Sequence, residues 1–180
     1  MQSPITFPKI GRLLKQGVQS LALDIGKTVA EKRYVELVCF ALMPNHFHLA
    51  VHELQEGGVT QYLHRLSTAY TKYVNTKYQR TGHTFEGTYQ AVHVKSNEQL
   101  LYLSAYIHLN PREVSGWDGK EHIYPWSSYQ DYRTENRWSG LIQPDIILDQ
   151  FSNPSEYQHF VEESGARQKI LLDIAEVSKA

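Results

Sequence analysis

Residues 33–52 read RYVELVCFALMPNHFHLAVH, and they contain the clearest structural pattern in the chain. Its first part, Arg33 to Met43, is rich in Val, Leu, Phe and Tyr, which favour β-strands. Pro44-Asn45 then supplies a turn, and His46 to His52 continues as a second strand-like run. The stretch therefore predicts a β-hairpin.

The second predicted strand carries two histidines with one residue between them. Side chains alternate across a strand, so His46 and His48 lie on the same face, where two imidazoles can ligate one divalent ion. The same spacing is common for solvated histidines, so the pair alone leaves both interpretations open. The single cysteine, Cys39, excludes a disulfide within the chain and a thiolate zinc cluster, and we expect it in the core.

Apolar periodicity outside the hairpin predicts helices at residues 8–30, 59–78, 97–110 and 155–164, and we expect Asn97 to cap the third of them. Residues 89–95 alternate like a strand, so the predicted order is α-β-β-α-β-α, an α+β fold. On the helix at 59–78, we expect the tyrosines spaced by one turn, such as Tyr70 and Tyr73, to face the core. We assign residues 1–138 to one domain and residues 139–180 to an acidic C-terminal extension with helical character.

Charge and composition narrow the class of protein. The 180 residues carry a net charge of −1, and no stretch approaches the ~20 apolar residues of a membrane span. The opening residues lack a secretory signal, so we expect a soluble, cytoplasmic protein. Residues 59–112 contain six basic and two acidic side chains, a balance that suits phosphate contact but that solvated helices also reach.

A second group of polar side chains lies on the helix predicted at 97–110. Tyr106 and Asn110 are four residues apart, so their phenol and amide oxygens face the same place. On this helix alone, a buried aromatic residue and a helix-ending Asn-Pro explain both residues better, because they require no chemistry.

Four motifs occur in order and resemble a known family. They are Pro44-Asn45-His46-Phe47-His48, Gly82-His83-Thr84-Phe85-Glu86-Gly87, Tyr106-Ile107-His108-Leu109-Asn110-Pro111 and Pro125-Trp126-Ser127-Ser128-Tyr129. Over about residues 34–132, the chain resembles the single-tyrosine HUH transposases, and most closely the REP-associated tyrosine transposases.

The resemblance implies a ferredoxin-like antiparallel sheet with helices on one face. It implies that His46, His48 and Asn110 bind Mg²⁺ or Mn²⁺ and that Tyr106 is the nucleophile. The implied reaction is nicking and rejoining of single-stranded or hairpin DNA through a 5′-phosphotyrosine. His83 and His108 are expected to bond to solvent or DNA. The basic residues expected to contact DNA are Arg65, Lys72, Lys77, Arg80, Lys95 and Arg112.

The family normally opens with a strand that contains a His-Val-Thr-like run, and we expect that strand to be missing here. Its loss leaves open a non-catalytic protein that binds DNA hairpins. A third, separate alternative is a metal-dependent hydrolase that uses His46 and His48 with an activated water. The resemblance is compatible with either a monomer or a homodimer.

Overall fold

The computed structural model of the protein describes residues 33–138, 140–166 and 168–170. The predicted hairpin is confirmed: β1 (Val35–Leu42) and β2 (Phe47–Glu53) pair antiparallel. The turn closes where Met43 N donates to His46 O over 2.8 Å. The predicted helix at 8–30 lies outside the described residues. The expected loss of the family's first strand also concerns that part of the chain and stays a prediction.

One extra residue interrupts the pairing of the two strands. Leu37 lies opposite Val51 and Cys39 lies opposite Ala50, so Val38 has no partner on β2. This is the arrangement of a β-bulge, which lets neighbouring residues be buried in succession. Val38 and Cys39 are both buried in the core, as expected for the cysteine.

Five complete α-helices follow the hairpin in the described part of the chain, residues 166 and 168–170 are also helical, and the α+β fold class is confirmed. Two 3-10 turns, at Asn110–Glu113 and Glu121–Ile123, accompany them. None of the described helices has both the length and the apolar character needed to cross a membrane. The helices are α1 (Gly58–Tyr78), α2 (Asn97–Leu109), α3 (Tyr129–Arg133), α4 (Asp145–Leu148) and α5 (Pro154–Glu163).

Helix α2 packs against the hairpin, and its capped start lies one residue before the expected one. Ser96 Oγ accepts from Gln99 N over 3.1 Å, so Ser96, and not Asn97, caps the helix. The core joins β1 and α2 with side chains near the C-terminus, including Ile147 and Tyr157. The predicted domain boundary at residue 138 stays a prediction, and residues on both sides of it are buried in this same core.

The outer edge of β1 is bonded to two later segments. Leu42 N donates to Trp126 O over 2.8 Å, and Ser128 N donates to Phe40 O over 3.0 Å. Gln143 N donates to Leu37 O over 2.8 Å. The Pro-Trp-Ser-Ser-Tyr motif and residue 143 therefore line this strand edge.

Two predictions about the fold are wrong. Residues 89–95 form no strand, because no described strand offers them backbone partners. Tyr89 contacts α1 instead, with its hydroxyl 3.0 Å from Thr60 Oγ1. Tyr70 and Tyr73 are 48% and 50% exposed and do not face the core. The described sheet is only two strands wide and buries little of α1 besides Leu63 and Val74.

Candidate active site

The two histidines of the hairpin converge. The ring centroids of His46 and His48 lie 4.9 Å apart, with the rings nearly perpendicular. His46 is exposed just before β2 begins, and His48 is half-buried within the strand. The period of two along the strand puts both imidazoles on one face, as the sequence predicted.

A side chain in the turn sets the tautomer of His46. Its Nδ1 donates to Asn45 Oδ1 over 2.7 Å, because an amide oxygen can only accept. The lone pair of the neutral ring is then on Nε2. Such a bond to the other ring nitrogen is the usual support of a metal-binding histidine. Sequence reasoning assigned Asn45 only to the turn, although an Asn directly beside a candidate ligand is a usable signal.

His48 has an unsatisfied nitrogen. Its Nε2 is buried and has no hydrogen-bond partner within the described residues. Burial lowers the pKa of His48 and the neighbouring His46 lowers it further, whereas the Glu113 carboxylate opposes the shift. The imidazole is therefore neutral near pH 7, which is the form that binds a metal ion.

Tyr106 on α2 faces the histidine pair. Its ring centroid lies 5.6 Å from that of His48 in an edge-to-face contact. The phenol is half-buried rather than enclosed in the core, so it is open to a large substrate. The structure thus brings His46, His48 and Tyr106 together.

Asn110 and Glu113 lie in the 3-10 turn that follows α2, on the side of Tyr106. The Asn110 side chain is buried, and its Nδ2 donates to Tyr106 O over 2.9 Å, which turns Oδ1 the other way. Tyr106, Leu109, Asn110 and Glu113 line a small surface pocket. Sequence reasoning missed Glu113, although its place seven residues after Tyr106 repeats the helical spacing.

The residues fit a divalent ion through nitrogen and amide donors. Within the described ranges, no group of three or more His, Cys, Asp or Glu side chains is arranged to hold a metal. The fit instead depends on the unpartnered Nε2 of His48, the Nε2 of His46 freed by Asn45, and the amide oxygen of Asn110. Such a set leaves coordination positions open, which a catalytic metal requires.

The expectation for His108 is wrong. Its side chain is 0% exposed and bonds to neither solvent nor DNA, because its ring nitrogens lie 2.7 Å from Tyr157 Oη and 2.8 Å from Ser128 Oγ. Its ring also stacks on Tyr129 at a centroid distance of 5.0 Å. His83, in contrast, is exposed in its loop, as expected.

The loop from Gly82 to Gly87 is attached beside the histidines. The Phe85 ring contacts Phe47 at 5.8 Å and Tyr70 at 5.5 Å, both between centroids. Asn75 Nδ2 on α1 donates to Gly82 O over 3.0 Å. These contacts connect the loop to β2 and to α1, the helix that carries three of the six expected DNA contacts.

The expected DNA contacts differ in their surroundings. Arg112 is only half-exposed, and its Nε donates to the buried Glu121 over 2.9 Å. Its charge is therefore partly neutralised. Arg65 lies over the ring of Tyr34, with Cζ 4.6 Å from the centroid. The exposed members of the set are Arg65, Lys72, Lys77, Arg80 and Lys95.

The chain matches the model of the family described as Transposase IS200 like over residues 10–110. No curated protein and no solved structure matches it. The matched segment contains the hairpin, α1 and α2, and it ends at Asn110. Because the match covers more than half of the 180 residues, the chain belongs to the Transposase IS200 like family.

Proposed function

We propose that this transposase nicks and rejoins single-stranded DNA that folds into hairpins, with Tyr106 as the nucleophile. Membership in a transposase family indicates a DNA-processing enzyme. The observation that carries the finer proposal is the gathering of the Tyr106 ring 5.6 Å from His48, which itself lies 4.9 Å from His46. These residues come from distant parts of the sequence, and a solvated histidine pair would not need a phenol beside it.

We propose His46, His48 and Asn110 as the residues that hold Mg²⁺ or Mn²⁺. The bond to Asn45 occupies Nδ1 of His46 and leaves Nε2 as its ligating nitrogen, and burial keeps His48 in the neutral form that binds a metal ion. The bond from Asn110 Nδ2 to Tyr106 O orients the amide oxygen away from the helix carbonyl. A bound divalent ion supplies polarisation of the scissile phosphate and offsets its charge.

Tyr106 would attack the phosphorus of the scissile phosphodiester. A bond forms between the phenol oxygen and phosphorus while the bond from phosphorus to the 3′ oxygen breaks. The phenol proton leaves, and the departing 3′ oxygen gains one, so the products are a 5′-phosphotyrosine and a free 3′-hydroxyl. One phosphoester replaces another, so a second 3′-hydroxyl can reverse the step without a nucleotide cofactor.

The exposed basic side chains around α1 suit the phosphates of a folded single strand. Lys72, Lys77 and Arg80 are all exposed along α1 and just after it. Tyr70 and Tyr73, which lie on the same helix and are about half exposed, offer rings for unpaired bases. Arg112 is the weakest member of the proposed set, because it is paired with Glu121.

The test is formation of a covalent adduct. The protein is incubated with hairpin DNA and Mn²⁺ and then run on a denaturing gel. We expect a protein–DNA band with the wild type and none with Tyr106→Phe. Tyr102→Phe is a matched control, because Tyr102 lies one turn earlier on α2 and packs against Phe160. An adduct that persists in Tyr106→Phe contradicts the proposal.

One observation favours a second function, a non-catalytic protein that binds DNA hairpins. Residues 89–95 contribute no strand, so the described sheet has only the two strands of the hairpin. Salt-sensitive hairpin binding without an adduct supports this alternative. Hydrolysis that survives Tyr106→Phe indicates instead a hydrolase that uses the histidine pair.

A further inference from the structure

A buried chain of hydrogen bonds runs behind Tyr106. His108 Nδ1 lies 2.7 Å from Tyr157 Oη, and His108 Nε2 lies 2.8 Å from Ser128 Oγ. His108, Ser128 and Tyr157 are all 0% exposed. Burial lowers the pKa of His108 to about 3, so the ring is neutral inside the protein.

The two ends of this chain are fixed to different elements. Ser128 Oγ accepts from Phe40 N over 2.8 Å, which connects it to β1, the strand paired with β2. Tyr157 belongs to α5, and its hydroxyl also donates to Ser104 Oγ over 3.1 Å. Tyr157 therefore contacts α2 at two residues that share one helix face, Ser104 and His108.

That face lies on the opposite side of α2 from Tyr106. Successive residues of an α-helix are about 100° apart, so residues 106 and 108 point about 200° apart. Side chains reach about 5–6 Å from the helix axis, so rotating α2 by about 10° moves the Tyr106 ring by about 1 Å. A misplacement of about 1 Å can slow a reaction about 100-fold. The contacts of Ser104 and His108, on the side of α2 opposite Tyr106, thus set the position of Tyr106 relative to His48.

We propose that Tyr157 is a positioning residue for Tyr106: through Ser104 and His108 it fixes the rotation of α2 against the strands that carry the histidine pair. The inference rests on the proposed function and gives α5 a part in it. Tyr157 lies beyond residues 10–110, the segment that matches the family. A segment outside the family match would then hold the Tyr106 ring in position beside the histidine pair.

Tyr132 provides the matched control. It is 1% exposed, and its ring packs against that of Tyr157 at a centroid distance of 5.0 Å. Its hydroxyl donates to Val38 O over 2.9 Å, so its hydroxyl bond reaches β1 rather than α2. Tyr132→Phe and Tyr157→Phe each remove one buried hydroxyl from the same aromatic cluster, and they differ in the element that loses the bond.

The test compares the two variants at saturating hairpin DNA and Mn²⁺, at a temperature where both are folded by circular dichroism. For Tyr157→Phe we expect adduct formation to slow by at least about tenfold, while the DNA dissociation constant stays within about twofold of wild type. Tyr132→Phe should retain a rate near that of the wild type. Ser128→Ala, which cuts the other end of the chain of bonds, should show the same split between rate and affinity as Tyr157→Phe.

Equal rates for Tyr157→Phe and wild type, or equal losses in Tyr157→Phe and Tyr132→Phe, overturn the proposal. The nuclear Overhauser effect between the rings of His48 and Tyr106 gives a readout that needs no catalysis. It should weaken in Tyr157→Phe and not in Tyr132→Phe, and an unchanged effect in Tyr157→Phe also overturns the proposal. If the wild type forms no adduct, the proposed strand transfer is wrong. The positioning role of Tyr157 is then tested by the nuclear Overhauser effect between His48 and Tyr106 alone.

Discussion

Asn45 Oδ1 accepts from His46 Nδ1 over 2.7 Å, so a side chain in the hairpin turn decides which imidazole nitrogen of His46 keeps its lone pair. Loss of such a bond to a metal-binding histidine weakens metal affinity by about 10-fold to 100-fold. The first prediction follows from this contact. We expect Asn45→Ala to lower the affinity for Mn²⁺ by about tenfold, measured by calorimetry on the protein without DNA. Asn97→Ala, which removes a bond to Gln150, should leave the affinity unchanged; an equal loss in both variants contradicts the role of Asn45.

Glu113 should make DNA binding depend on the metal ion. Its carboxylate lines the same pocket as Tyr106 and Asn110, so its negative charge adds to the repulsion of a phosphate there and to the attraction of a metal cation. We expect Glu113→Gln to tighten hairpin binding in EDTA by about threefold, a size typical of one exposed charge pair, and to reduce the stimulation by Mn²⁺. Fluorescence anisotropy with labelled hairpin DNA measures both effects. Glu163→Gln on α5 is the control, and equal metal stimulation of wild type and Glu113→Gln rules the prediction out.

Lys72 and Lys77 should contribute to the salt dependence of binding. Each phosphate contact on a single strand adds about 0.7 to the slope of log affinity against log salt. We expect the double variant Lys72→Ala, Lys77→Ala to reduce that slope by about 1.4. Lys169→Ala is the control, because Lys169 contacts Glu98 and Tyr102. A slope unchanged from wild type shows that α1 does not follow the DNA backbone.

Asp131 should stabilise the fold in a way that depends on pH. Its buried carboxylate accepts from Arg137 N, Nε and Nη2 and from Trp138 Nε1, at 2.9 to 3.1 Å. Burial alone would raise the pKa of Asp131, but the bonds from Arg137 outweigh it and hold the pKa below the usual 3.8. Removing one partner of a buried ion pair costs about 3 kcal/mol of unfolding free energy, so we expect a loss of that order for Asp131→Asn at pH 7.

The sign of the pH effect follows from the lowered pKa. The stabilisation by Asp131 is complete above the unfolded value of 3.8 and is lost as the pH falls through the lower folded pKa. The difference in unfolding free energy between wild type and Asp131→Asn should therefore shrink below pH 3.8, as measured by urea unfolding. A difference in unfolding free energy that stays constant down to about pH 2.5 contradicts this prediction.

Local sequence was sufficient for the hairpin and for the convergence of the histidines. β-Branched and aromatic residues on both sides of Pro44-Asn45 predict the strands, and the period of two puts His46 and His48 on one face. Helical spacing likewise predicted that Tyr106 and Asn110 share one side, and both line the same pocket. In each case the deciding interaction lies within a few residues along the chain.

The wrong predictions all depended on distant partners. Residues 89–95 have the alternation of a strand, but a strand also needs a neighbour to accept its backbone bonds. His108 was expected at the surface because its partners, Ser128 and Tyr157, are 20 and 49 positions away and leave no trace in the local pattern. Tyr70 is exposed because the described sheet beside α1 is only two strands wide. That width cannot be read from the sequence of α1 itself.

The unpaired Val38 marks a place where the residue count of β1 can change without altering the ladder. Leu37 and Cys39 lie opposite consecutive residues of β2, so removing Val38 would keep the other pairs in place and give an unbroken ladder. Removing a paired residue such as Phe40 would instead shift the pairing by one residue and turn the shifted side chains to the other face. Ala41 lies opposite His48, so that shift would reach the strand pair that carries the candidate site. We therefore expect β1 to tolerate deletion of Val38 better than deletion of Phe40.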